Sequence, residues 1–327
     1  MIEVTVAMRA VREAVEALRA LGKTGAAARQ RALDVKEAKR LLGLVDPAGE
    51  AYRSDAVHPL FTPGEIHPDN KAALLAAGTD LLAGDLARRD KLPVDATDNS
   101  LLLFGSPTSE GLSRVVFGYS ELGDREGLIQ DDLHIDLAYA WELDPERLGG
   151  GEVARFVPDR GLVTRPPWQI KDLRGGRWNR FTPRADQDGM ICEDYLLVTR
   201  LPNFLSSEAE SRGQFLVNFG GAHGTGTRAV KLLFKDRRLM ATVMEQLKAQ
   251  YVGATGRIGG VPNAYQLLFR VIDIKHRPGS GSVPGKLELV DAIVLPDTDG
   301  AWDLARRRAT PHLRDRTKPD DEGTDAR

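Results

Sequence analysis

Three short stretches hold the residue types and spacings that chemistry needs. The first is FLVNFGGAHGTGTRAVKLLF, residues 215–234, where an apolar run meets a cluster of Gly, His and Thr and then an amphipathic run. Gly224-Thr225-Gly226-Thr227-Arg228-Ala229 fits G-x-G-x-x-(G/A), with a predicted strand before it and a predicted helix after it. Such a turn brings backbone N–H groups close to an anion, and the helix N-terminus adds partial positive charge. Thr225 and Thr227 are placed to cap the helix or bond a phosphate oxygen, and Arg228 to pair with a phosphate. The dinucleotide fingerprint also requires an acidic residue about 20 residues further on, at the end of the next strand. Glu245 has that spacing but lies in the helical run RRLMATVMEQLKAQY, so a standard NAD site is rejected. Two readings stay open: an anion or ligand cradle, or a glycine-rich strand-to-helix turn with no ligand.

His223 sits inside the same turn, where a histidine can act as acid, base or ligand contact. No G-x-S-x-G elbow supplies a serine partner. Cys192 has no local signature linking it to His223 and reads as a small buried residue. The second stretch is LLLFGSPTSEG, residues 101–111. A fully apolar strand ends in Gly105-Ser106-Pro107, followed by Thr108, Ser109 and Glu110. The third is Glu193 to Asn203, EDYLLVTRLPN, one strand before the glycine turn.

The second stretch resembles the first strand and loop of nucleotide-binding folds of the nucleoside deoxyribosyltransferase and SLOG kind. There, a Gly-Ser or Gly-Pro approaches a nucleotide's sugar or phosphate, and a carboxylate attacks or stabilises the sugar carbon. The resemblance makes Gly105, Ser106 and Ser109 ligand contacts and Glu110 or Glu142 the carboxylate, with no spacing rule choosing between them. Gly-Ser-Pro is equally a common turn. All three stretches together resemble a family of uncharacterised bacterial Rossmann-like proteins. Asp194, Tyr195, Leu197, Pro202, Asn203, Phe204, Gly221, His223, Gly224, Gly226 and Thr227 match its pattern, whereas Leu196, Leu205 and Ala222 depart from it. The likeness implies one site built from three loops, in a bacterial sensor or defence module, and names no reaction.

Other candidates are weaker. Gly22-Lys23-Thr24 looks like part of a P-loop, but residue 17 is Ala and no strand precedes it. His58, His67, His134, His276 and His312 lack metal-ligand spacing, and DDLHID reads as a solvated face. The segment RPPWQIKDLRGGRWNRF mixes Arg165, Lys171, Arg174, Arg177 and Arg180 with Trp168 and Trp178. It reads as a lid over the ligand edge ahead of a nucleic-acid surface.

These residues need elements to hold them. Residues 1–95 read as a helical region. Val4, Met8, Val11, Val15 and Leu18 form an apolar stripe, a second helix runs from Ala26 to about Leu44, and a third spans Pro68 to Arg89. The Pro- and His-rich stretch between the last two reads as loop. Residues 96–300 carry apolar runs separated by helices, which predicts an α/β class and a Rossmann-like three-layer domain with a largely parallel or mixed sheet. Residues 301–327 read as a polar, disordered tail.

The 327 residues, 42% hydrophobic and 28% charged with net charge −2, describe an ordinary globular chain with no global case for nucleic acid. A single cysteine excludes a disulfide framework. No run approaches the ~18 apolar residues of a membrane span, so a soluble cytoplasmic protein is expected. The expected ligand is nucleotide-like or phosphorylated, held by Gly221 and the amides of Gly224 to Thr227, with Arg228 beside them. His223, Asn203 and Ser106 would orient it. Two alternatives stand beside binding. One is a hydrolase or transferase acting on a nucleotide glycosidic or phosphate bond, with His223 or Glu110 as acid or base. The other is a scaffold that makes a homo-oligomer or meets a partner helix through residues 1–45. No cofactor is named by the sequence.

Overall fold

The structure, a computed structural model, describes residues 57–60, 69, 70, 72, 73, 98–107, 111–121, 128–130, 135–143, 153–157, 161–165, 168–175, 180–255, 262–277, 281–296 and 300–317, together with Arg29. The chain begins with β1 (Val57–Leu60), β2 (Ser100–Phe104), α1 (Gly111–Phe117), β3 (Tyr119–Glu121) and β4 (Leu128–Gln130). Next come β5 (Tyr139–Leu143), β6 (Val153–Val157), β7 (Gly161–Arg165), β8 (Trp168–Asp172), β9 (Arg180–Phe181) and β10 (Arg184–Ala185). The site region follows: β11 (Ile191–Pro202), α2 (Ser207–Ser211), β12 (Phe215–Gly221), α3 (Gly224–Arg228), α4 (Val230–Lys235) and α5 (Arg237–Thr255). The chain closes with β13 (Tyr265–Ile272), β14 (Lys275–Arg277), β15 (Gly281–Val283), β16 (Lys286–Val294) and α6 (Ala301–Thr317).

The main sheet has the order β1-β2-β12-β11-β13-β16, with β10 added beside β11. The expected Rossmann-like fold is overturned by strand direction. Only β1, β2 and β12 run parallel to one another. The pairs β12–β11, β11–β13 and β13–β16 are all antiparallel. The architecture is a mixed sheet with one parallel edge, not a Rossmann-like domain. Apolar runs such as SLLLF and QFLVNF report burial on both faces, but hydropathy carries no information on strand direction.

The alternation of each strand divides the core in two. Leu101, Leu103, Leu197 and Leu268 face one side, against Tyr139, Trp141 and Ile170. Leu102, Phe104, Leu196, Val198 and Phe219 face the other, against Val230, Leu233, Met240 and Met244 of α4 and α5. Gln266 pins the first layer to the sheet. Its Oε1 accepts from the backbone N–H groups of Ala138 and Tyr139, and its Nε2 donates to Tyr139 O and Thr199 Oγ1. A buried amide with its bonds met in this way fixes a unique packing.

Several local expectations change. The first two helices expected in residues 1–95, with their apolar stripe, lie outside the described residues apart from Arg29, and of the third only residues 69, 70, 72 and 73 are described, in helical conformation. The stretch before it, read as loop, contains β1. Residues 139–143 of the run DDLHIDLAYAWEL form β5. The segment expected to be a lid supplies β8, the middle strand of the β5-β8-β9 sheet, and buries Trp168 and Ile170. Its cations face internal carboxylates: Lys171 and Arg180 bind Glu142, and Arg174 binds Asp172 and Asp291. Arg177 and Trp178 lie outside the described residues.

The tail expected to be disordered carries α6. Trp302, Ala305 and Ala309 make an apolar stripe spaced for one helix face, and all three are buried. Trp302 stacks on Phe204 at 6.0 Å. The charges around this stripe lower the mean hydropathy of the segment and hide it. Among the described residues, no helix is long and apolar enough to cross a membrane.

Candidate functional site

The parallel edge brings two of the three expected loops together. Gly105 leaves β2 with φ +127°, a conformation that a side chain would strain, and its N–H donates to Phe219 O at 2.9 Å. A Cβ on Gly220 would fall 3.0 Å from both Gly105 O and Ser106 Cα, so the loop after β2 lies directly on the end of β12. Asn218 Nδ2 donates to Gly105 O at 2.9 Å and to Ser113 Oγ at 3.0 Å. Asn70 closes the other side of Gly105, with Nδ2 2.5 Å from where a Cβ would stand. Ser109 and Glu110 follow this loop but lie outside the described residues.

The third loop goes elsewhere. Because β11 runs antiparallel to β12, Asn203 stands beside Gln214, just before β12 and a strand's length from His223. There it ties a turn together. Its Nδ2 donates to Asn99 O at 2.6 Å and its Oδ1 accepts from Leu205 N at 3.2 Å. Asn203 therefore has a structural explanation and does not meet the other loops.

The glycine turn packs against the start of β11. A Cβ on Gly226 would fall 2.2 Å from Tyr195 O, and one on Gly221 would fall 2.3 Å from His223 O. The backbones touch, so glycine is required whether or not a ligand binds. Most of the groups assigned to a phosphate have internal partners. The Gly226 amide donates to Asp194 Oδ2 at 2.6 Å, and the Thr227 amide donates to His223 O. Thr227 Oγ1 accepts from the Gly221 amide at 2.9 Å. Arg228 pairs with Asp69 at 2.9 Å and donates to Ser282 O at 3.0 Å. Gly224 opens α3, and Thr225 is buried within it.

What the turn does assemble is a carboxylate–imidazole pair. Asp194 lies on β11, wholly buried. It accepts from the amides of Gly226 and of Tyr195, the latter at 2.8 Å. Its Oδ1 stands 3.6 Å from His223 Nδ1. His223 occupies the N-cap position of α3 without capping it and is only 7% exposed. Both ring nitrogens are enclosed with no hydrogen-bond partner among the described residues. A buried polar group left unmet costs about 1–3 kcal/mol. Native structures keep few such groups, and functional sites are one place they keep them. The Asn70 Nδ2 and Asn218 Oδ1 atoms beside Gly105 are likewise enclosed and unmet.

Sequence reading had Asp194 only as a motif residue. The available signal was a carboxylate inside the apolar run ICEDYLLV, since a buried strand admits a charge only with dedicated partners. The other candidates separate from the pair. Cys192 is exposed, not buried, and its thiol donates to Arg184 O. Glu142 is bound by Arg180 at 2.7 Å and Lys171 at 3.0 Å. Burial alone would raise its carboxyl, but these two cations outweigh burial and hold it below the usual carboxylate range. His276 is held between Ser282 Oγ and Ile191 O.

No family model matches the chain, and no curated protein or solved structure matches it either. The resemblance drawn from the three stretches therefore stands on those motif residues alone.

Proposed function

We propose that the protein binds a small polar ligand at the parallel edge and performs acid–base chemistry on it through His223, with Asp194 orienting the imidazole. The observation that carries this reading is the buried Asp194–His223 pair with both imidazole nitrogens unmet. Asp194, itself fixed by two amides, favours the tautomer with the proton on Nδ1. Nε2 is then the atom that takes a proton from an attacking hydroxyl or water and returns it to a leaving group, the division of roles found in carboxylate–histidine catalysis generally. Such geometry is commonly long before ligand binds and tightens with it.

Nucleotide-like and phosphorylated compounds are the first class to test. Ligands of open α/β sheets bind beyond the carboxyl ends of parallel strands; Gly105-Ser106 follow β2, and Gly220 to His223 close β12 and follow it. The hydrolase or transferase reading fits better than an amide cradle, because Asp194 and Asp69 already hold Gly226 and Arg228.

The test is a thermal-shift titration of wild type and His223→Gln against nucleotides, nucleosides and phosphosugars, followed by product analysis for any compound that binds. A ligand at 100 times its dissociation constant adds about 2.7 kcal/mol of stability. We expect stabilisation of wild type by at least one class and turnover that His223→Gln abolishes. Binding with unchanged turnover in His223→Gln, or no shift with any compound in folded protein, removes this reading.

A further inference from the structure

A second concavity lies near the other face of β11. Side chains alternate along a strand, so Glu193 and Tyr195 point away from Asp194, into an open groove of about 400 Å³. That volume suits a small ligand. The groove carries two arginines, two carboxylates and an apolar wall, and the hydrogen bonds already made within it select what can bind.

Glu193 accepts from Arg270 at 2.5 Å and from the Tyr195 hydroxyl at 2.7 Å. Glu288 accepts from Lys286 at 2.6 Å. Both carboxylates are therefore engaged. Arg184 makes a long ion pair with Glu193, its Nε 3.9 Å away and beyond hydrogen-bond reach, and its side chain is 72% exposed. Its guanidinium keeps its donors for a ligand, and a guanidinium fork matches a carboxylate or phosphate.

The apolar wall is built by an irregularity. The ladder between β13 and β16 pairs Leu268 with Asp291 and Phe269 with Leu289, leaving Val290 as an extra residue in a bulge on the sheet's last strand. Bulges re-aim side chains, and Val290 is 41% exposed beside Leu289 and Phe181. We propose that this groove binds a small anion with an apolar body, its carboxylate or phosphate on Arg184 and its aromatic or aliphatic part on Phe181 and Val290.

The test is calorimetric titration with phenyl phosphate and benzoate, with inorganic phosphate and benzyl alcohol as the separated halves. The proteins are wild type, Arg184→Ala, Val290→Ser and His223→Gln. Both altered groove residues are exposed, so the fold is expected to survive. The expected result is at least tenfold tighter binding of an aromatic anion than of either half, at least tenfold loss in Arg184→Ala, a smaller loss in Val290→Ser, and no change in His223→Gln. Absence of binding, equal binding by Arg184→Ala, or inorganic phosphate binding as well as phenyl phosphate overturns the proposal. Loss in His223→Gln also overturns it, by placing the ligand at the other site.

Discussion

Gly226 donates its backbone N–H to the Asp194 carboxylate at 2.6 Å, joining the glycine turn to a strand laid down 32 residues earlier. The same carboxylate faces His223. One buried acid thus holds the start of α3 and lies beside the imidazole.

Asp194→Asn is expected to destabilise the protein by about 1–3 kcal/mol. Two amide donors converge on the carboxylate, one on each oxygen. An asparagine side chain offers only one acceptor oxygen, so its NH2 must oppose one of the two N–H groups. Urea unfolding measures the loss. Wild-type stability in Asp194→Asn would show that these bonds do not hold the turn.

Gly226 and Gly253 make a paired prediction. A methyl at Gly226 would meet Tyr195 O at 2.2 Å, and backbone there cannot move without shifting β11. Gly226→Ala is expected to cost about 3 kcal/mol or more, in the range of strong overpacking. Gly253 lies in α5 with nothing within 4 Å of its would-be Cβ. Gly253→Ala is expected to stabilise by roughly 0.5–1 kcal/mol. Melting curves of the two variants should move in opposite directions, and a parallel shift would contradict the packing described.

Glu193 gives the protein an acid-side dependence. Burial alone would raise its carboxyl, but hydrogen bonds from Arg270 and Tyr195, with the charges of Arg270 and Arg184, outweigh burial and hold it below its ordinary value. The unfolded chain therefore takes up this proton first as pH falls. The contribution is complete above the ordinary glutamate value of about 4.3 and is lost as pH drops through the lower folded value. Urea midpoints of wild type and Glu193→Gln, measured from pH 7 down to pH 2, should differ most at the upper end and converge at the lower. A difference that stays constant with pH would remove Glu193 from the acid response.

The sequence marked the buried strands well and allowed a mixed sheet, but did not mark which strands run parallel. SLLLF is a strand over the same five residues in the structure, because a run buried on both faces is apolar throughout. Whether such a run returns parallel or antiparallel depends on what the intervening chain packs against, and no local pattern records it. That one uncertainty carried Asn203 into the expected site, though it stands at the opposite end of the strands. The motif around His223 was legible as a strand-to-helix turn. Its chemistry was not, since whether Gly226 faces an anion from solvent or the Asp194 side chain depends on contact between residues distant in sequence. Glycine in such a turn reports close approach of backbone, and here the approaching group is Tyr195 O.

The C-terminal helix offers the plainest test of tertiary structure hidden by composition. Trp302 is buried and stacks on Phe204, which follows β11 and is itself fully buried. Arg306 donates to Phe204 O at 2.9 Å and pairs with Glu210, and Arg308 donates to Val116 O at 2.7 Å. α6 thus clamps α1 and the turn after β11 from outside. Trp302→Ala is expected to cost about 3–5 kcal/mol, the range for removing a buried aromatic. Arg308→Ala should cost less, about 1 kcal/mol, because it removes the hydrogen bond to Val116 O at a partly buried site. Chemical unfolding followed by circular dichroism reads both losses. If α6 were the unattached tail that its charges suggest, both variants would unfold at the wild-type midpoint. The order Trp302→Ala well below Arg308→Ala, with both below wild type, is the outcome expected of a docked helix.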